Sequence, residues 1–302
     1  MKNIIVPTDF SEDAEKAYPL AKKIAKSLGA SIKIFTVLPS YSGEIALFAG
    51  GANPNRRDPD LRKSEDEKAK SQLEALKSSP DFTGLNIETI ALEDNGNGIV
   101  PSVLEFINHE DHEYVIMGTA GDENDGESNA AVIARKSAKP LITVKSAKKA
   151  DADIKKILLP TDFKTIHAAF IGYVQTIAKA FDAEIEILHI NTPKNFYETE
   201  ELDKEWSRFQ RRMKLDGSIK MKTVNARKIE DTIQRYAHAK GFDMIALPTH
   251  GRTGFNRFFN DSYTEDIINE SDLPILSYNM HNDYQPYNLV TRNSIMTRGF
   301  SG

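Results

Sequence analysis

The 302-residue chain has no cysteine. Disulfide staples, thiolate zinc sites and a cysteine nucleophile are therefore excluded, and a reducing compartment poses no difficulty. Long apolar runs are also lacking: none approaches the ~20 residues of a membrane span. The opening run "IIV" stops at Pro7, short of the roughly 7–15 residues of a secretory signal core. A cytoplasmic protein that does not enter the membrane is expected. Nor is there a basic excess: 39 Lys and Arg face 44 Asp and Glu, a net charge of −5. A chain built to neutralise many nucleic-acid phosphates needs the opposite balance, which argues against a nucleic-acid partner.

What is present suffices for ordinary cores, with 40% hydrophobic residues, and the length suits two domains of ~100–200 residues. An internal repeat organises them. "NIIVPTDFS" at 3–11 returns as "KILLPTDFK" at 156–164. Apolar residues at helical spacing follow each copy, over 11–28 and 165–181, with Ser11 and Thr165 as N-cap candidates and Pro19 expected to kink or delay the first helix. Then come the strands "SIKIFTVL" and "EIEILHI", charged helices over 60–79 and 198–215, and the strands "LNIETIAL" and "SIKMKTVN". Helices around 100–109 and 229–240, the strands "YVIMGT" and "DMIALPT", a further helix and a last strand, "KPLITV" or "LPILSY", complete each half.

The order β-α-β-α-β-α-β-α-β, twice, predicts an α/β protein of two tandem five-stranded parallel sheets with helices on both faces. The domains span 1–146 and 154–279, a polar linker covers 146–153, and a tail runs over 280–302. Asp9 and Asp162 lie farther apart than Gly118 and Pro248, so the first half carries an insertion around 39–60, a lid, a partner surface or plain disorder. In such sheets ligands bind beyond the carboxyl ends of strands, where strand order reverses. Both Pro-Thr-Asp sequences and the turns "MGTAG" and "LPTHG" fall there.

On "PTDF" in both halves, "LHI" ending the second strand of the second half, "THGRTGFNRFF" at 249–259 and "SNAAVIARKSAKPLITV" at 128–144, the chain resembles the universal stress protein family in tandem form. The resemblance implies a fold related to the adenine-nucleotide alpha-hydrolase-like, Rossmann-like sheets. It also implies pairing of the final strands of the two halves into a pseudo-dimer, and leaves open whether two chains form a homodimer. Some members bind ATP, with a Gly, two residues, a Gly, nine residues and Gly-Ser or Gly-Thr enclosing the triphosphate. Backbone amides of such a turn and a helix N-terminus suit an anion. Carried onto the second half, the resemblance implies a nucleotide site of Pro160, Asp162, Ile190, Leu247, Pro248, Gly251, Arg252, Gly254 and Ser262. Asp162 would meet ribose hydroxyls and the backbone at Ile190 the adenine edge.

The pattern is incomplete. Pro248 stands at the first glycine and removes a donor. Asp261 stands before Ser262 where the family has glycine, and at 4 Å two like charges repel by ~1 kcal/mol in water, more in a drier site; magnesium between them reverses the sign. The alternative reading is that Gly251 and Gly254 serve the turn alone and Asp261 caps the following helix. In the first half the matching residues are Asp9, Gly118, Gly121 and Ser128, with a spacer four residues too short. That spacer reads "DENDGES" through Ser128, with four acids and no base, so no ATP of the family type is expected there; the acids form a solvated cap or a divalent-cation site.

No residue is assigned to catalysis. His189 and His250 sit at strand ends without a neighbouring nucleophile or paired carboxylate, and the loops of adenylate-forming relatives are missing. "HEDHE" at 109–113 reads as an exposed turn before a metal site, and Trp206 with Phe209 as core packing. Three functions follow: a stress-response or regulatory factor binding ATP, with Mg, in its second half; an interaction protein with eroded pockets; or a weak Mg-dependent ATPase.

Overall fold

The computed structural model describes residues 2–39, 59–79, 82–94, 96–121, 128–249 and 261–280, except the side chains of 59–62 and 261–263. The first half contributes β1 (Asn3–Pro7), β2 (Ser31–Leu38), β3 (Ile87–Glu93), β4 (Tyr114–Gly118) and β5 (Leu141–Val144). The second contributes β6 (Lys156–Thr161), β7 (Glu184–Asn191), β8 (Lys220–Asn225), β9 (Met244–Thr249) and β10 (Ile275–Asn279). Between them run α1 (Glu12–Glu15), α2 (Tyr18–Leu28), α3 (Pro59–Lys77), α4 (Ile99–His109), α5 (Asn129–Lys136), α7 (Ala168–Phe181), α8 (Thr199–Met213), α9 (Ile229–Lys240) and α10 (Asp261–Glu270). A single turn, α6 (Ala147–Ala150), lies in the linker, its N-cap Ser146 accepting from the Lys149 amide.

The strands form one ten-stranded sheet in the order β3-β2-β1-β4-β5-β10-β9-β6-β7-β8. Pairing is parallel within each half and antiparallel only where β5 meets β10. At that seam Ile142 lies opposite Leu276, each two residues beyond the proline that opens its strand, so a pseudo-twofold axis passes between them. Two of the seam's hydrogen bonds obey the axis. Lys145 Nζ donates to the Asn269 carbonyl and Asn279 Nδ2 to the Arg135 carbonyl, both at 2.7 Å. Each donor ends a final strand, and each acceptor closes the last helix of the opposite half. Arg135 also pairs with Glu265 across the seam.

The central strands are apolar on both faces because helices cover both, whereas the edge strands β3 and β8 carry exposed polar residues. Ile4 and Val6 of β1 enter one core with Ile24 of α2, whereas Ile5 enters the other with Ile107 of α4 and Ile133 of α5. Both cores run through the two halves. The α2–α7 side is joined by the Tyr114 hydroxyl donating to the Tyr173 carbonyl at 2.9 Å.

Pro19 has the expected effect. The helical stretch divides into α1 and α2, with Pro19 in the first turn of α2, where its missing N–H leaves no helical bond unmade. Ser11 caps α1 by accepting from the Ala14 amide. The matching expectation for Thr165 fails: α7 starts at Ala168 with His167 at the N-cap position, and the Thr165 hydroxyl turns back to Asp162. The insertion and the tail, apart from residues 39, 59, 60 and 280, lie outside the described residues, as do the acids at 122–127 and the turn at 250–260.

Candidate functional site

Each half reverses its strand order between its first and fourth strands, β1/β4 and β6/β9, and the repeated Pro-Thr-Asp-Phe turn stands at those points. Its core geometry is the same twice. Thr8 Oγ1 accepts from the Phe10 amide at 3.0 Å and Thr161 Oγ1 from the Phe163 amide at 2.9 Å. Phe10 and Phe163 adopt φ of 61° and 65°, a left-handed conformation bulky residues seldom take.

The aspartates differ. Asp9 is exposed and accepts, through Oδ1, from the Ser11 amide at 3.0 Å and its hydroxyl at 2.5 Å. Asp162 is 4% exposed. Its Oδ1 accepts from the amides of Lys164 at 2.9 Å and Thr165 at 2.8 Å, and its Oδ2 from the Thr165 hydroxyl. A carboxylate offers about four acceptor positions, so most of this one already serves the turn.

The sheet brings Pro160, Asp162, Ile190, Leu247 and Pro248 to one edge, the carboxyl ends of β7, β6 and β9. Pro160 lies beside Leu188 in register and is buried. The Ile190 and Leu247 side chains are core residues, leaving only their backbone for a ligand. The Pro248 carbonyl accepts from the Thr264 hydroxyl at 3.0 Å, tying the end of β9 to α10. Ser262 lies in the first turn of α10. Gly251, Arg252, Gly254 and His250 lie outside the described residues.

His189 is fully buried. Its ring stacks on Phe163 at 4.6 Å, with Nδ1 3.0 Å from the Thr161 carbonyl and Nε2 3.2 Å from Asn191 Oδ1. Burial pushes its pKa below the usual histidine value, against the opposing pull of those two contacts and Asp162. It therefore braces the Pro-Thr-Asp-Phe turn from beneath. Asn191 is fixed in turn by the Tyr197 backbone, donating to its carbonyl at 3.2 Å and accepting from its amide at 3.1 Å. In the sequence Asn191 is marked only by following "LHI", and Tyr197 by nothing local.

In the first half the matching residues are taken up by packing. A Cβ on Gly118 would lie 1.8 Å from the Asp13 carbonyl oxygen, because α1 crosses directly over the end of β4. Gly121, at φ +85°, would bring a Cβ within 2.5 Å of the Asn269 carbonyl oxygen. Ser128 caps α5, accepting from the Ala131 amide at 3.1 Å, and donates to Asn269 Oδ1 at 2.6 Å. Asp9, Gly118, Gly121 and Ser128 are thus assigned to the α1 turn, its seat and the seam.

"HEDHE" is not wholly the exposed turn expected. His112 is 5% exposed, in the place that Phe242 holds in the second half, two residues ahead of the strand. Its Nδ1 bonds the Glu110 carbonyl at 2.9 Å and its buried Nε2 has no partner among the described residues. Among the described residues no group of three His, Asp or Glu could hold a metal, and no helix is long and apolar enough to cross a membrane. Phe209 is 1% exposed and Trp206 stacks on it at 6.1 Å, both packing residues as anticipated.

Comparison with known proteins supports the repeat. The model of the universal stress protein family matches residues 1–145 and again 153–278. A universal stress protein of Synechocystis is 24% identical over 309 aligned positions, covering 92% of this chain and 100% of its own length. One from Methanocaldococcus jannaschii is 26% identical over 137 positions, covering 40% of this chain and 80% of its own. The crystal structure of a universal stress protein from Archaeoglobus fulgidus superposes with a TM-score of 0.68 at 16% identity, over 92% of this chain and 98% of that one; at that identity the likeness concerns the fold. With two matches spanning most of its length on two repeats of one α/β unit, the chain belongs to the universal stress protein family, as a tandem of two such units.

Proposed function

We propose that the chain is a cytoplasmic stress-response factor whose second half, 154–279, holds one adenine nucleotide with Mg, while the first half, 1–146, holds none in the family's manner. The observation that carries this reading is the asymmetry of the two switch points. In the first, α1 sits on Gly118, while Gly121 and Ser128 contact Asn269. In the second, residues 163–167 form no helix, and α7 begins only at Ala168. The ends of β6, β7 and β9 thus lack the α1 roof. The stretch 249–262 would offer glycine amides at 251 and 254, two arginines at 252 and 257, and the N-terminus of α10 to phosphates. No nucleophile or base is required, so the role is sensing. Because β5 and β10 are spent on each other, a homodimer would use another surface.

Titration calorimetry of the full chain with Mg-ATP tests this. One site per chain is expected, lost in Gly251→Val and unaffected by Asp9→Ala. Two sites, no binding at millimolar ATP, or full binding by Gly251→Val would each overturn it. Phosphate release above background would indicate the weak ATPase, and a chain that ignores nucleotides altogether the interaction protein.

A further inference from the structure

A second groove opens on the other side of β7 from the β6/β9 switch point, between the carboxyl ends of β7 and β8 and the start of α8. It encloses about 420 Å³ and is lined by Asn191, Phe196, Tyr197, Thr199, Thr223 and Asn225, among others, a size suited to a small molecule. Register explains its floor. His189 pairs with Thr223 and Asn191 with Asn225, so Asn191, Thr223 and Asn225 share the sheet face that carries His189, the face on which Phe163, Tyr197 and Phe209 pack.

Three features define what fits. Phe196 is 61% exposed on the rim, an unusual position for a large apolar side chain here. Thr199, Thr223 and Asn225 make no side-chain hydrogen bond to another described residue, whereas the Asn191 amide is committed to Tyr197 and serves as a rigid wall. The N-terminus of α8 is closed by a capping box between Glu198 and Glu201, with Glu200 beside it. The box occupies two of its amides and the local charge is negative, so an anion is disfavoured there. An aromatic face beside amide and hydroxyl groups suits a ring with one apolar face and a rim of donors and acceptors.

We propose that this groove binds a neutral, hydroxyl-bearing ring compound, a sugar or a nucleoside, stacked on Phe196 and hydrogen-bonded to Asn225, Thr223 and Thr199. Saturation-transfer NMR of the full chain tests it with glucose and adenosine as separate probes, each in the presence of saturating Mg-ATP so that the β6/β9 edge is occupied. At least one neutral probe should bind saturably, weakened roughly tenfold or more by Phe196→Ala and by Asn225→Ala. Both altered side chains are exposed, so melting temperatures should be unchanged. Absence of saturable binding of both probes at millimolar concentration, or binding indifferent to Phe196→Ala and Asn225→Ala, would overturn the proposal. None of these outcomes bears on the Mg-ATP titration.

Discussion

Asp9 and Asp162 end the same four-residue motif's third position in two halves of one sheet, yet one carboxylate faces water and the other is almost wholly buried. The backbone of the turn is alike in both, since threonine oxygen and left-handed phenylalanine are fixed locally. What differs is the five residues that follow. "SEDAE" supplies an N-cap serine and acids for a first helical turn, so a helix starts at once and closes over Gly118. "KTIHA" supplies β-branched Thr165 and Ile166, which disfavour a helix start; they fold inward at 3% and 1% exposure instead, and the helix waits until Ala168. A shared motif therefore fixes a turn, and its flank decides whether a helix closes over the neighbouring strand end.

The comparison breaks most severely at Gly118. Gly118→Val would drive a side chain into the α1 backbone, whose nearest atom lies 1.8 Å from the Cβ position. Backbone cannot step aside cheaply, so the loss should be roughly 4 kcal/mol or more. Pro248→Gly at the matching place should cost no more than roughly 1–2 kcal/mol. Urea denaturation of both variants measures this, and equal midpoints would show that α1 is not seated on β4.

Next in size is the His112–Phe242 pair. Burial lowers the His112 pKa to about 4, below the unfolded value near 6.5. Protons therefore favour the unfolded chain: stability is intact above pH ~6.5 and falls by about 3 kcal/mol as pH drops to 4. His112→Phe, which places in the first half what the second already has, should flatten that part of the pH–stability curve. A slope unchanged between pH 6.5 and 4 would show that His112 does not carry it.

These residues also mark where the sequence stops being informative. The central strands β1, β4, β5, β6 and β9 were legible as apolar runs, and α9 because its period is uninterrupted; Pro19 announced its own break. The seam was legible only as a pairing of last strands. That Lys145 and Asn279 serve equivalent roles depends on a contact between halves that no local pattern encodes. His112 was misread because four acidic or polar neighbours make "HEDHE" look like a surface turn. Only its alignment with Phe242 carried the signal. At the candidate site, repetition placed Pro160, Asp162, Ile190, Leu247 and Pro248 at strand ends, since strand ends repeat with the strands. The commitment of Asp162 to Thr165 was hidden, because it depends on where α7 starts.

That commitment supports the finest of the three tests. Asp162→Ala would strip acceptors from two backbone amides and a buried hydroxyl that water reaches poorly, at a cost of about 2 kcal/mol. Asp9→Ala removes an acceptor at an exposed turn, where water replaces it, and should cost less than about 1 kcal/mol. Asp162→Asn separates the structural from the binding contribution, because its amide oxygen can still receive the Lys164 and Thr165 amides while the charge offered to a ribose is gone. Thermal melts of the three variants beside Mg-ATP titrations decide the matter. Near-native stability with weakened binding in Asp162→Asn assigns the carboxylate both roles. Equal losses in Asp9→Ala and Asp162→Ala would mean that the two turns bear the same load, and the contrast between the halves would then rest on α1 alone.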